Sequence, residues 1–158
     1  MAKAFGGEVR HVKLHGALGN MTSEDEQLEL DCYDAALSVD PDLIVMVLAA
    51  TAQQSAAKRL GCAYAGEIFA DRAYNDDATL VDRSIEGAVI HDAELAGRRM
   101  VEMVKAGAII TDSGKHIETD IDTICCHGDT PEAVQIAASV RATLEAAGVT
   151  VTQFDGRR

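Results

Sequence analysis

Leu43-Ile-Val-Met-Val-Leu-Ala-Ala50 is the longest apolar run in the chain, and its length decides how it is read. It falls far short of the roughly 20 residues that a membrane-spanning helix requires. A short run that is apolar on both faces reads as a strand buried inside a parallel sheet, with helices covering it.

Working outward from this strand, the pattern repeats. Upstream, Val9 to Leu14 reads as a strand, followed by a helix from about Ser23 to about Ser38. Ser23 and Glu26 make a capping-box pattern there, and Pro41 stops any continuation. Downstream, Ala52 to Leu60 reads as a helix closed by Gly61, and Cys62 to Ile68 as a third strand. A polar excursion from Asp71 to Ile90 follows, with Asn75, Asp76 and Asp77 marking a turn. Asp92 then caps a helix that runs to Gly107, with Ala96, Met100, Met103 and Val104 as its apolar stripe. Ala108 to Thr119 reads as a small hairpin around Asp112-Ser113-Gly114-Lys115. Asp122 to Cys126 is the fourth strand, and a last helix starts with Thr130 as N-cap and Pro131 in the first position. That helix carries Ile136, Val140 and Leu144 on one face and ends at Gly148. Four strand-then-helix units predict an α/β fold with a mainly parallel sheet and right-handed crossovers.

Composition excludes several functions. With 158 residues and 47% apolar content the chain is one domain with a real core. Its 14 Lys and Arg stand against 26 Asp and Glu, a net charge of −12 that disfavours nucleic acid as a partner. No Lys or Arg lies between Lys13 and Lys58, while that interval holds eight acidic residues from Glu24 to Asp42, which reads as a solvated acidic helix. No transmembrane segment is expected. Four cysteines without C-x-x-C spacing, and no secretory leader pattern, predict a reduced, cytoplasmic protein.

The polar residues gather at one edge. Alternation along the first strand sends His11, Lys13 and His15 one way and Val12 and Leu14 the other, with Gly16 next. His15 follows the first strand, Glu67, Asp71 and Arg72 follow the third, and His127 with Asp129 follow the fourth. All sit at carboxyl ends of strands, where α/β folds place their sites. Two histidines with nearby carboxylates leave a divalent metal open, although no H-E-x-x-H spacing is present. No phosphate loop and no G-x-S-x-G elbow occurs, and the Gly128-Asp129-Thr130-Pro131 entry into the last helix reads as capping before anion binding. Neighbouring Cys125 and Cys126 point to opposite faces of a strand, one toward the core and one toward the site.

Four ordered blocks also carry a family resemblance. They are His11-Val-Lys13-Leu-His15-Gly16-Ala-Leu-Gly-Asn20, Glu67-Ile-Phe-Ala-Asp71-Arg72-Ala-Tyr74, Gly87-Ala-Val-Ile-His91-Asp92 and Asp122-Thr-Ile-Cys-Cys-His127-Gly128-Asp129-Thr130-Pro131. Together they resemble the LamB/YcsF family, which contains the A subunit of bacterial ATP-dependent 5-oxoprolinase. The resemblance runs from about Gly6 to Val149 and matches the carboxyl-terminal portion of the family's longer chain. It implies a distorted β/α barrel related to the glycoside hydrolase/deacetylase superfamily. Residues 1–158 are then a single domain without the family's amino-terminal third, an incomplete barrel of about four βα units. The family's Pro and Tyr are replaced by Leu14 and Gly19.

The resemblance further implies that the chain works with other 5-oxoprolinase subunits to open 5-oxoproline, a small lactam, to glutamate at the expense of ATP. An unstrained lactam is a poor electrophile, so this chemistry needs cations for developing charge and a base for water. Lys13 and Arg72 are the expected cations, and His15 and His127 the acid/base candidates, with Asp71, Asp129 and Glu67 orienting them. His11, Gly16, Asn20, Glu67, Tyr74 and Gly128 are the expected substrate contacts. Two alternatives stay open at this point, a noncatalytic remnant with a binding or assembly role and a metal-dependent hydrolase of the deacetylase kind. The incomplete barrel also predicts a homo-oligomer, through an edge strand as apolar as Leu43 to Leu48 or through a sheet face that the helices leave uncovered.

Overall fold

The computed structural model describes residues 2–157. After a short 3-10 turn at Ala2–Phe5, the strands are β1 (His11–Lys13), β2 (Ile44–Leu48), β3 (Tyr64–Phe69), β4 (Ala108–Ile110), β5 (His116–Glu118) and β6 (Thr123–Cys125). The helices are α1 (Gly16–Glu24), α2 (Glu26–Val39), α3 (Ala52–Leu60), α4 (Ala93–Ala106) and α5 (Ala133–Ala146). Four strands form one parallel sheet in the order β1-β2-β3-β6, curled into a half-barrel with helices outside. The antiparallel β4–β5 pair stands apart as the expected hairpin, interposed between α4 and β6.

Alternation along each strand sorts side chains between two faces. Val45 and Val47 are fully buried on the convex side with Tyr33 of α2 and Ala56 and Ala57 of α3, and Val12 and Leu14 pack against this cluster. Met46 and Leu48 instead face the concave side with Lys13, Glu67 and Phe69. A second convex cluster joins Ile68 to Met100 and Met103 of α4 and to Ile136, Val140 and Leu144 of α5. Gly97 lets α4 and α5 approach closely, since a Cβ there would press on the Thr143 hydroxyl at 2.7 Å.

The chain end closes the bottom of the half-barrel. Phe154 packs beneath the sheet against Ile44, Ala63 and Ala65, and Arg157 exchanges two backbone hydrogen bonds with Tyr64. The Arg157 guanidinium holds Asp122, whose carboxylate also accepts from the Gly66 amide at 2.9 Å. Gly66 is required there, because any Cβ would overlap the Asp120 carbonyl oxygen.

Three local expectations are corrected. The segment around Ser23 is not a helix start: α1 already begins at Gly16, and Ser23 Oγ donates to Asn20 O within it. Asp25 breaks the helix and caps α2 by accepting from Gln27 N and Leu28 N, which a free aspartate oxygen does readily. Thr130 does not cap α5, which starts two residues after Pro131, with Glu132 as an N-cap whose side chain makes no capping bond. The third concerns the sheet edge. β2 is interior, paired on both sides, and the edges among the described residues are β1 and β6. The most apolar strand therefore has no free edge, and its convex face is fully buried while Met46 and Leu48 line the concave cleft.

Candidate active site

The carboxyl ends of β1, β2, β3 and β6 open on one cleft of about 750 Å³ on the concave side. Lys13 points inward from β1, as alternation requires, and its ammonium forms an ion pair with Glu67 of β3. It also donates to Cys125 Sγ at 3.3 Å and lies 4.8 Å above the Phe69 ring. Burial works against the charge on Lys13, yet the Glu67 carboxylate and the Cys125 sulfur beside it hold the ammonium above the ordinary lysine value. Glu67 is only 3% exposed, and burial pushes its carboxyl up despite the neighbouring ammonium.

A second pair lies beside the first. Asp71, buried just after β3, accepts from the His127 backbone amide at 2.9 Å and from His127 Nδ1 at 2.9 Å and 3.0 Å. An acceptor-only carboxylate on Nδ1 keeps the proton there and leaves Nε2 of the neutral ring as a base. The ring stacks on Phe69, with centroids 5.3 Å apart, so both the edge and a face of the imidazole are fixed.

His15 and Gly16 line the cleft from the start of α1, where Gly16 adopts φ +63°, and Asn20 lines it from one turn further along that helix. Arg72 and Asp129 line it as well, and Arg83 donates to Asp129 at 2.9 Å. This bond is the main cause holding the Asp129 carboxyl below its usual value. Three expected contacts fall elsewhere. Tyr74 is fully buried outside the cleft lining and its hydroxyl accepts from the Phe69 amide at 2.7 Å, so it braces the β3 end. His11 is exposed at the start of β1, outside the cleft lining, and Gly128 is not part of the lining either.

Sequence reasoning missed Gln53 and Arg83. Gln53, in the first turn of α3, accepts from Leu48 N at 2.7 Å and donates to Gly19 O at 2.8 Å and Thr22 Oγ1 at 3.1 Å. It thereby ties the end of β2 to α1, and its place just after a strand was the available signal. Arg83 lies in the polar excursion, which has no period to read. Cys125 proves to be the thiol beside Lys13, while burial pushes the Cys126 thiol up to about 11. Among the described residues no cluster of three His, Cys, Asp or Glu side chains has metal-binding geometry.

Comparison with known proteins decides the family. The LamB/YcsF family model matches residues 1–158. The chain belongs to this family. It is 66% identical over 155 residues to the 5-oxoprolinase A subunit of Ruegeria pomeroyi, covering 98% of this chain and 61% of the relative. It is 47% identical over 157 residues to the 5-oxoprolinase A subunit of a Rhodopseudomonas palustris strain, covering 99% of this chain and 62% of that relative. The lactam utilization protein of Thermus thermophilus superposes with a TM-score of 0.83 at 36% identity, over 96% of this chain and 60% of that one. This LamB/YcsF chain thus spans about three fifths of the length of the relatives it matches, and the half-barrel is the matching part of their fold.

Proposed function

We propose that this LamB/YcsF chain carries the lactam-opening step of an ATP-dependent 5-oxoprolinase, acting with other subunits. The observation that carries this reading is the His127–Asp71 pair facing the same cleft as the Lys13–Glu67 pair. The names of the relatives, two of them A subunits of 5-oxoprolinase and one a lactam utilization protein, point the same way.

Opening the ring adds one water across the C–N bond. His127 Nε2 takes a proton from that water as its oxygen bonds to the carbonyl carbon activated by phosphoryl transfer from ATP. The Lys13 ammonium offsets the negative charge that develops on the carbonyl oxygen, with Glu67 fixing its position. As the C–N bond breaks, the imidazolium returns its proton to the leaving nitrogen, giving the acyl phosphate of glutamate, and a second water then cleaves that acyl phosphate to glutamate and phosphate. Four free thiols fit a reducing, cytoplasmic setting, and no helix among the described residues is long and apolar enough to cross a membrane.

The test is glutamate formation from 5-oxoproline and ATP with partner subunits supplied. Lys13→Ala and His127→Ala are expected to abolish turnover while leaving the far-ultraviolet circular dichroism unchanged. Normal turnover in both variants would remove the assignment.

A further inference from the structure

Arg72 is oriented differently from a group that follows charge along a reaction. It is 4% exposed, its Nε donates to Ala88 O at 3.3 Å and its Nη2 to Val81 O at 2.6 Å. Both partners are neutral carbonyls of the 71–90 excursion, and among the described residues no carboxylate lies within salt-bridge distance of this guanidinium. Among the described residues its Nη1 has no hydrogen-bond partner, yet it is not among the buried unpaired atoms, and the residue lines the cleft. A buried guanidinium with a free donor aimed at open space is costly without an anion to receive it.

The second cation stands next to it. Arg83 lines the same part of the cleft, close enough that, after burial, it is the main influence lowering the Arg72 pKa. Asp71 and Asp82 act on Arg72 in the opposite sense, and an anion held between the two guanidinium groups would relieve their repulsion further. Among the described residues Arg83 is held only by Asp129, and the two side chains are 47% and 53% exposed. An exposed pair of this kind contributes little, so an incoming anion displaces it readily.

We infer that Arg72 and Arg83 form the anion-recognising end of the cleft, binding the ring carboxylate of the lactam acid, with Asp129 holding Arg83 in place until substrate arrives. This rests on the lactam reading for the ligand's identity but not for the site. Planar guanidinium donors match a carboxylate in geometry as well as charge. The same donors would also take a phosphate, so the two sources have to be separated by experiment. On this assignment the carboxylate is anchored at the Arg72 end, and the carbonyl is left for Lys13 and His127 to reach.

The experiment titrates the chain, labelled with nitrogen-15, with 5-oxoproline, 2-pyrrolidinone, acetate and inorganic phosphate, following the arginine side-chain resonances. 5-Oxoproline is expected to shift Arg72 and Arg83 and to bind at least tenfold more tightly than 2-pyrrolidinone, which lacks the carboxylate. Arg83→Gln should erase that preference without altering 2-pyrrolidinone binding, and Asp129→Asn should tighten 5-oxoproline binding several-fold by freeing Arg83. Because Arg83 is exposed, its variant folds even where Arg72→Lys fails to.

Unchanged 5-oxoproline binding in Arg83→Gln overturns the proposal while leaving the lactam reading intact. Arginine shifts with phosphate alone, or with none of the four ligands, overturn it too. Acetate shifting both arginines as strongly as 5-oxoproline keeps the anion site and removes the lactam reading.

Discussion

His127 Nδ1 lies 2.9 Å from Asp71 Oδ2, and the same oxygen accepts the His127 backbone amide at 2.9 Å. One buried carboxylate therefore sets both where the histidine backbone sits and which ring nitrogen carries the proton. Asp71→Asn preserves the shape but can present an N–H to Nδ1, which favours the wrong tautomer. Turnover in the assembled enzyme is expected to fall by about 10²–10⁴-fold. Nitrogen-15 shifts of the His127 ring should report the changed tautomer, and near-normal kcat would count against His127 as the base.

The Lys13–Glu67 pair makes a prediction about stability. Lys13→Met leaves a buried carboxylate without its cation, at a cost of about 3 kcal/mol near neutral pH. The Glu67 carboxyl, already above its ordinary value of 4.5, rises further in this variant. The folded state then binds the proton more tightly than the unfolded chain, so stability is present below the unfolded value and declines as pH rises through the folded one. Denaturant melts at several pH values should show the deficit shrinking toward acid pH, and Lys13→Met with Glu67→Gln should recover much of it.

Glu29 behaves in the same sense for a different reason. It is fully buried on α2, and among the described residues neither carboxyl oxygen has a well-formed hydrogen bond. Burial pushes its carboxyl above 4.5, which the nearby Thr22 and Tyr33 hydroxyls offset only in part. Folding favours the protonated form, so this group removes stability as pH climbs from about 4.5 through its folded value. Glu29→Gln is expected to flatten that decline and to melt at a higher temperature than the parent at pH 8. Equal pH slopes for the two proteins would mean that Glu29 is charged and paired in solution.

The edges of the sheet lead to a prediction about association. β1 and β6 each have one strand neighbour among the described residues, and an apolar groove lies between β6, α5 and residues 149–154. Ile121, Ile124, Val140, Leu144 and Val149 line that groove. Light scattering of the 158-residue chain at micromolar concentration is expected to show a homodimer or larger species, since unpaired edges beside apolar surface favour pairing with a second copy. A stable monomer that binds no apolar dye would show that the groove and edges are satisfied within one chain.

Much of this architecture was legible in the residue order. The apolar run at 43–50 marked a buried strand, Gly61 and Gly107 marked helix ends in left-handed conformation, and Asp92 capped α4 as its type and position require. The incomplete barrel was what the family resemblance implied, whereas the parallel sheet and the strand-end placement of Lys13, Glu67, Asp71 and His127 follow from those local patterns. They could be read because periodicity, caps and breakers act over a few residues.

What only the tertiary structure decided depends on groups far apart in sequence. Whether Asp71 meets His127, 56 residues away, is set by how β3 pairs with β6. Whether Tyr74 faces a ligand or braces a strand end depends on the path of the excursion that follows it, and that path has no period. Arg83 reached the cleft, and β2 the sheet interior, for the same reason. Composition and spacing fix which residues stand at a strand end, but side-chain partners are chosen by packing, where burial and hydrogen-bond satisfaction are settled for the whole fold at once.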